Sequence, residues 1–181
     1  MRMREDADGL RARRIKDGDF HAAEELMEKY RESLFNFIFR MMFNYHAAED
    51  IFQETWLRVI EKIDRYNPRY SFNFWLFRIA RNICLDSLRK AKRRTMKQIF
   101  LASKTVEVPN ESELEKEKLK AILTRTSPKI REVIILRYFQ QYDLAEISSI
   151  LGAPIGTVKS RLNRGIGMMK KMWHEGRQNE T

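Results

Sequence analysis

Lys159, Ser160 and Asn163 are spaced so that a helix would carry them on one face. Each can read a base edge: lysine donates to guanine O6 or N7, serine meets several edges, and asparagine pairs with adenine. Arg161 and Arg164 are longer and suit phosphate oxygens, which position a protein on a duplex without specifying its sequence. Thr157 joins them, and the set contains no acidic residue. A merely solvated helix face would leave these cations unbalanced, so contact with DNA is the stronger reading.

The flanking residues supply the elements that must hold this set. Leu144, Ile147, Ile150 and Leu151 repeat at helical spacing, and Gly152 follows where a left-handed C-cap suits glycine. Pro154 suits the first turn of a second helix, whose buried stripe is Val158, Leu162, Ile166 and Met169. Helix, short break and helix make a helix-turn-helix, the second helix being able to enter the major groove.

A second chemistry-bearing segment lies earlier in the chain. Six aromatic residues fall within residues 66–77: Tyr66, Tyr70, Phe72, Phe74, Trp75 and Phe77. Residues 65–97 carry a net charge of +9 and residues 148–181 a net +4, against −3 for residues 1–64 and +10 for the whole chain. Rings beside a cationic track suit single-stranded nucleic acid, because bases stack on the rings while the cations follow the backbone. Packing is the alternative for every ring. It is preferred for Phe74, Trp75 and Phe77, and stays level with a surface role for Tyr70 and Phe72. Two basic blocks, one of them on a helix-turn-helix, favour a nucleic-acid partner.

Composition narrows the class further. Hydrophobic residues make up 43% of the chain, with seven glycines and four prolines, as expected of an all-α protein. The single cysteine, Cys84, excludes an internal disulfide and falls among apolar neighbours, as a buried structural thiol would. His21, His46 and His174 lack ligand-like spacing, so no metal site and no cofactor are expected. No nucleophile–base set or phosphate-binding glycine loop suggests an enzyme. The N-terminus is charged from Arg2 to Lys16, unlike a secretory leader, and no stretch approaches the ~20 apolar residues that span a bilayer. A soluble, cytoplasmic protein without direct membrane insertion is expected.

Two small helical domains fit the pattern: residues 19–95 after an N-terminal extension (1–18), and 111–176 before a short tail (177–181), joined by a linker over 96–110. The first domain reads as three helices: one over 20–43, one from Ala47 through Ile63, and one capped by Ser71 and running to about Arg94. Tyr70 and Trp75 take the positions of a hydrophobic staple. Asn110 and Glu113 fit a capping box at the start of the second domain, where Pro128 opens a further helix.

Several of these segments together resemble a bacterial family. The segments are Ala48–Trp56, Ser71-Phe72 with Trp75–Asn82, Asp86 with Arg89, Arg131-Glu132-Val133, Glu146-Ile147 and Gly156–Leu162. In this order, over roughly residues 19–173, the chain resembles an extracytoplasmic-function sigma factor of RNA polymerase. The resemblance implies regions 2 and 4 joined by a flexible linker. It implies that Asp50, Gln53, Glu54 and Arg58 dock on the clamp helices of the largest polymerase subunit, with the flap as a further contact. It implies that the 66–73 loop and the third helix open and read the −10 element through Arg69, Tyr70, Ser71, Phe72, Arg78, Arg81 and Asn82. The recognition helix would read the −35 element. Promoter DNA, core polymerase and an anti-sigma factor are the implied partners.

The chain departs from the family pattern at Thr126-Ser127-Pro128, where Leu-Pro is usual, and at Phe72-Asn73-Phe74, where Phe-Arg-Ala is usual. Gly165 and Gly167 replace better helix formers, at about 1 kcal/mol each, so a looser helix end is expected. The rival reading is an ordinary helix-turn-helix repressor or activator, which would bind its duplex without polymerase. A membrane-surface role for the basic third helix is disfavoured, since its aromatic side is needed for the domain core.

Overall fold

A computed structural model describes residues 7–98 and 119–178. The helices are α1 (Ala7–Lys16), α2 (Phe20–Met42), α3 (Tyr45–Lys62) with a 3-10 turn at Ile63–Arg65, and α4 (Phe72–Gln98). Residues 119–125 are helical, followed by α5 (Pro128–Ile134), which widens into π-helical Ile135–Phe139, then α6 (Leu144–Leu151) and α7 (Ile155–Gln178). No strand occurs among the described residues. The Asn110–Glu113 capping box and most of the expected linker lie outside them, while α4 continues past the expected end near Arg94 to Gln98.

Residues 7–16, expected to be part of an extension, belong to the first domain's core. A ten-residue helix is marginal alone in water, so α1 depends on docking. Ala12 and Ile15 are buried, and the buried Asp8 carboxylate holds Lys29 Nζ at 2.6 Å from both oxygens and accepts the Tyr30 hydroxyl. Arg11 adds a 2.6 Å ion pair to Glu25. The signal was weak in sequence because half of this helix is charged.

The α2–α3 corner is tight because Phe43 adopts a left-handed φ of 50° as the C-cap of α2, and Asn44 then caps α3, accepting from Ala47 N–H at 2.9 Å. The helix thus begins at Tyr45, two residues before the expected Ala47. Leu26, Leu34, Phe37 and Met41 of α2 meet Ile51, Trp56 and Val59 of α3 and Leu76, Phe77 and Ala80 of α4 in one core. Phe37 and Phe77 meet edge-on at 5.3 Å, a preferred aromatic geometry. Cys84 is buried there, and burial pushes its thiol up to about 12, which makes it an inert packing residue.

In the C-terminal half, Pro128 opens α5, and Asp143 and Glu146 form a reciprocal capping box on α6. Gly152 ends α6 at φ 60°, as its position suggests. Pro154 stands just before α7 and accepts from Thr157 and Val158 N–H at 2.9 and 3.1 Å, so it acts as the cap of α7 and not as its first residue. Ile147, Ile150, Leu151, Val158 and Leu162 are buried. They belong to the same apolar cluster as the N-terminal helices, so the halves pack on one another.

Gly165 is not the defect expected of it. A Cβ there would lie 2.8 Å from Ile134 Cδ1 and 2.9 Å from Ile130 Cγ2, so glycine is what lets α7 cross α5 closely. Gly167 has open space around it. Gly165→Ala should therefore cost about 1–3 kcal/mol by overpacking. Gly167→Ala should stabilise by up to about 1 kcal/mol through helix propensity. Urea denaturation of both variants checks this; equal shifts of the same sign would refute the close-packing account.

Candidate nucleic-acid interface

The recognition set divides in two. Lys159, Ser160, Asn163 and Arg164 are exposed along α7, and Thr157 is half-buried near its start. Their positions follow from Val158 and Leu162, which anchor the opposite side of the helix in the core. Arg161, expected to reach a phosphate, is half-buried, with Nη1 3.2 Å from Glu132 Oε1. In this structure it has a carboxylate partner rather than a free guanidinium.

The aromatic loop divides similarly. Arg69 and Tyr70 are exposed, Tyr70 at 68%, and Ser71 is half-buried at the start of α4. Phe72 is wholly buried and packs among Tyr30, Tyr66 and Trp75, with centroids 5.6–6.1 Å away. This corrects the surface role allowed for Phe72: its ring supports the loop from below and offers no face to a base. Tyr66 packs at a tilt against Trp75 with centroids 5.3 Å apart and donates its hydroxyl to Tyr70 O at 2.8 Å, which holds the turn. Above these rings lies a cleft of about 430 Å³ lined by Arg65, Tyr66, Asn67, Tyr70, Phe74, Trp75, Arg78 and Ser149. Its walls are aromatic and its rim is cationic, the combination that takes up an unstacked base.

Along α4, Asn82 is exposed and accepts from Arg81 Nη1 at 3.0 Å. Arg78 and Arg81, expected to face DNA, are bonded to the C-terminal half. Arg81 forms a two-point pair with Glu132, Nε to Oε2 at 2.7 Å and Nη2 to Oε1 at 3.0 Å. Arg78 donates to Ile150 O at 3.2 Å and to Ser149 O, at the C-terminal end of α6 where carbonyls lack helical partners. Tyr142 donates to Asn73 Oδ1 at 2.9 Å and sets its ring edge-on to Phe74 and Phe77; burial pushes its hydroxyl up to about 12.

On α3, Asp50 and Gln53 are exposed, and Glu54 and Arg58 form a 2.6 Å pair one turn apart on the partly exposed side. Buried Ile51, Thr55, Trp56 and Val59 fill the opposite side. Leu57 is 62% exposed beside the Glu54–Arg58 pair in sequence, and a groove of about 490 Å³ between α2 and α3 includes Phe35, Tyr45, Phe52 and Gln53. Of the four sequence-selected residues, Gln53 lines this groove.

Sequence reasoning missed Glu132, Arg131, Asn73 and Tyr142 as contact residues. Glu132 carried a signal: a carboxylate inside the apolar run from Ile130 to Leu136 must find cations if it folds inward. Arg131 carried the same signal. It is 6% exposed, with Nη1 bonded to Met41 O at 2.7 Å and Nε to Leu123 O at 2.8 Å, and burial lowers its guanidinium's pKa.

The helical fold thus carries a helix-turn-helix and, apart from it, an aromatic-walled cleft with a cationic rim. Family models match in both parts: Sigma-70 region 2 over residues 26–94 and Sigma-70, region 4 over residues 116–169. The ECF RNA polymerase sigma factor SigW of Bacillus subtilis (strain 168) is 32% identical over 89% of this chain and 94% of its own length. SigX of the same organism is 30% identical over 81% and 80%. Two solved structures share the fold: CnrH in complex with the cytosolic domain of CnrY, and the sigma factor RpoE in complex with the anti-sigma factor NepR from Bartonella quintana. The first has a TM-score of 0.75 and 21% identity, covering 94% of this chain and 99% of that one. The second has a TM-score of 0.70 and 24% identity, covering 83% and 96%.

The chain belongs to the ECF sigma factors of RNA polymerase. As such it is an initiation factor, not an enzyme: it directs polymerase to promoters. No helix among the described residues is long and apolar enough to cross a membrane.

Phe72→Ala should destabilise the fold by about 3–5 kcal/mol, the usual cost of removing a buried ring. Tyr70→Ala should change stability by no more than about 0.5 kcal/mol while weakening capture of single-stranded −10 DNA by the holoenzyme. Denaturant midpoints and strand-binding titrations separate the two; a Phe72→Ala protein of normal stability would return that ring to the surface.

Proposed function

We propose the following division of labour within this sigma factor. Lys159, Ser160 and Asn163 read the −35 element, with Thr157 and Arg164 beside them and Arg161 joining when released from Glu132. The exposed face of α7 supports this, since its base-reading side chains stand clear of the core. Arg69, Tyr70, Ser71, Arg78, Arg81 and Asn82 serve the −10 element, with the aromatic-walled cleft receiving an unstacked base. Unstacking costs a few kcal/mol, so a site that holds the base must offset it. Phe72 acts only by supporting that cleft.

Asp50, Gln53, Glu54 and Arg58 dock on core polymerase through its clamp helices, and the C-terminal half meets the flap. The single observation that carries the reading is the juxtaposition of two separate nucleic-acid surfaces on one small protein: an exposed polar recognition helix and a cationic aromatic cleft. An anti-sigma partner is part of the proposal, on the footing that the CnrH and RpoE structures are each complexes. The site of action is the cytoplasm.

Run-off transcription with bacterial core polymerase on genomic fragments tests the reading. Asp50→Lys should fold normally and lose both co-purification with core and run-off product. Lys159→Ala and Asn163→Ala should each alter preference at one −35 position by roughly 1–3 kcal/mol, whereas Arg164→Ala should weaken all promoters alike. Unchanged preference in a promoter-library selection would remove Lys159 and Asn163 from base reading, and retention of core by folded Asp50→Lys would remove the docking assignment.

A further inference from the structure

The aromatic cleft is held from beneath by a chain of contacts that begins on α1. Asp8 is buried, and its carboxylate accepts the hydroxyl of Tyr30 of α2 while pairing with Lys29 Nζ at 2.6 Å from each oxygen. The Tyr30 ring is also buried and lies against Phe72, with centroids 6.1 Å apart. Phe72 packs in turn on Tyr66 at 5.6 Å and on Trp75 at 5.8 Å, and both of those rings wall the cleft. Close-packed rings move only together, so the bond that fixes Tyr30 also limits the rings beyond it. α1 reaches the same place by a second route. Gly9, Ala12 and Lys16 share a hollow of about 370 Å³ with Tyr66, and Lys16 pairs at 3.4 Å with Asp64 in the turn before it. That pair is exposed and adds little, which leaves the buried Asp8 carboxylate as the anchor.

We propose that Asp8 is a positioning residue for the −10 cleft: through Tyr30 and Phe72 it sets the rings of Tyr66 and Trp75 against which an unstacked base is held. This rests on the role proposed above for that cleft. Asp8 itself meets no DNA, since its carboxylate is buried and would repel a phosphate. A base gains most from a ring whose place is already fixed, because the cost of ordering the ring on binding would be subtracted from the stacking. A hydroxyl bonded to a carboxylate is held more firmly than one bonded to a neutral group, which suits a tether at the far end of such a chain. α1 is thereby a working part of promoter opening.

The test uses the full chain assembled with bacterial core polymerase. The probe is a labelled non-template-strand oligonucleotide spanning the −10 element of a promoter found by the run-off experiment. Tyr30→Phe keeps the ring and removes the tethered hydroxyl, whereas Asp8→Ala removes the acceptor. Asp8→Asn keeps an oxygen for the hydroxyl and removes the charge. Ile38→Val, buried on α2 and making none of these ring contacts, supplies a loss of stability alone. Tyr70→Ala reports on the cleft itself. Dissociation constant and stoichiometry are read separately, because partial unfolding lowers the stoichiometry and leaves the constant of the folded remainder unchanged.

Tyr30→Phe and Asp8→Ala should each weaken strand binding about tenfold at full stoichiometry, the order expected when one stacked base is held less well. Affinity for a duplex carrying the −35 element should stay at the wild-type value in both. Asp8→Asn should restore most of the strand affinity lost in Asp8→Ala, and Ile38→Val should match the wild type. Should Asp8→Ala fail to fold, Tyr30→Phe and Asp8→Asn still decide the matter. Wild-type affinity in Tyr30→Phe, beside weak binding by Tyr70→Ala, overturns the positioning role and leaves the cleft standing. An equal loss in Ile38→Val overturns it as well, by reducing the effect to stability. Wild-type affinity in Tyr70→Ala overturns the reading of the cleft on which the proposal rests.

Discussion

A buried carboxylate between two guanidinium groups is the constraint on which the arrangement of this protein turns. Glu132 comes from α5, Arg161 from α7 and Arg81 from α4, so one ionic centre ties three helices from both halves of the chain. Removing one partner from a buried pair typically costs about 3–5 kcal/mol, because the remaining charge is stranded away from water. The two-point bond from Arg81 adds direction to that energy: it sets how α5 lies against α4, where apolar packing alone would tolerate sliding.

Around that centre the helices are held by short connections whose geometry comes from single residues. Phe43 in the left-handed region followed by the Asn44 cap turns α2 into α3 without a loop. Gly152 ends α6 and Pro154 receives the first amides of α7, which sets the angle at which the recognition helix leaves the core. Gly165 permits the close crossing of α7 over α5. The face of α7 proposed for the −35 element is thus presented by local structure, whereas the face proposed for the −10 element lies on a long helix whose outer side takes part in contacts between the halves.

The sigma-factor role asks such a protein to bring two DNA surfaces to separate promoter elements. The chemistry suited to phosphate is equally suited to Glu132 and to the carbonyls at the end of α6, so the arginines proposed for DNA serve, in this structure, the contact between the halves. These anchors are polar, so their groups can exchange protein partners for water. Arg131 makes a second such anchor, reaching the carbonyl of Met41 near the end of α2, where a cation complements the helix terminus.

The helix-turn-helix, the outward placing of Lys159, Ser160, Asn163 and Arg164, the polar side of α3 and the burial of Cys84 were all legible in the sequence. Each depends on helical periodicity, caps and local charge, which act over a few residues. The docking of α1 was not legible, because Asp8 is a surface residue by type and becomes a core residue only when Lys29 and Tyr30 arrive from another helix. Phe72 could not be assigned from its loop-edge position, since its burial depends on Tyr30 and Tyr66. Arg161 lies by periodicity on the flank of the buried stripe of α7, and only its contact with Glu132, from a distant helix, shows what it pairs with. Local sequence decided which helices form and which faces they offer. Tertiary structure alone decided which of those faces are covered, because that depends on charges and rings separated by many residues and brought together only by packing.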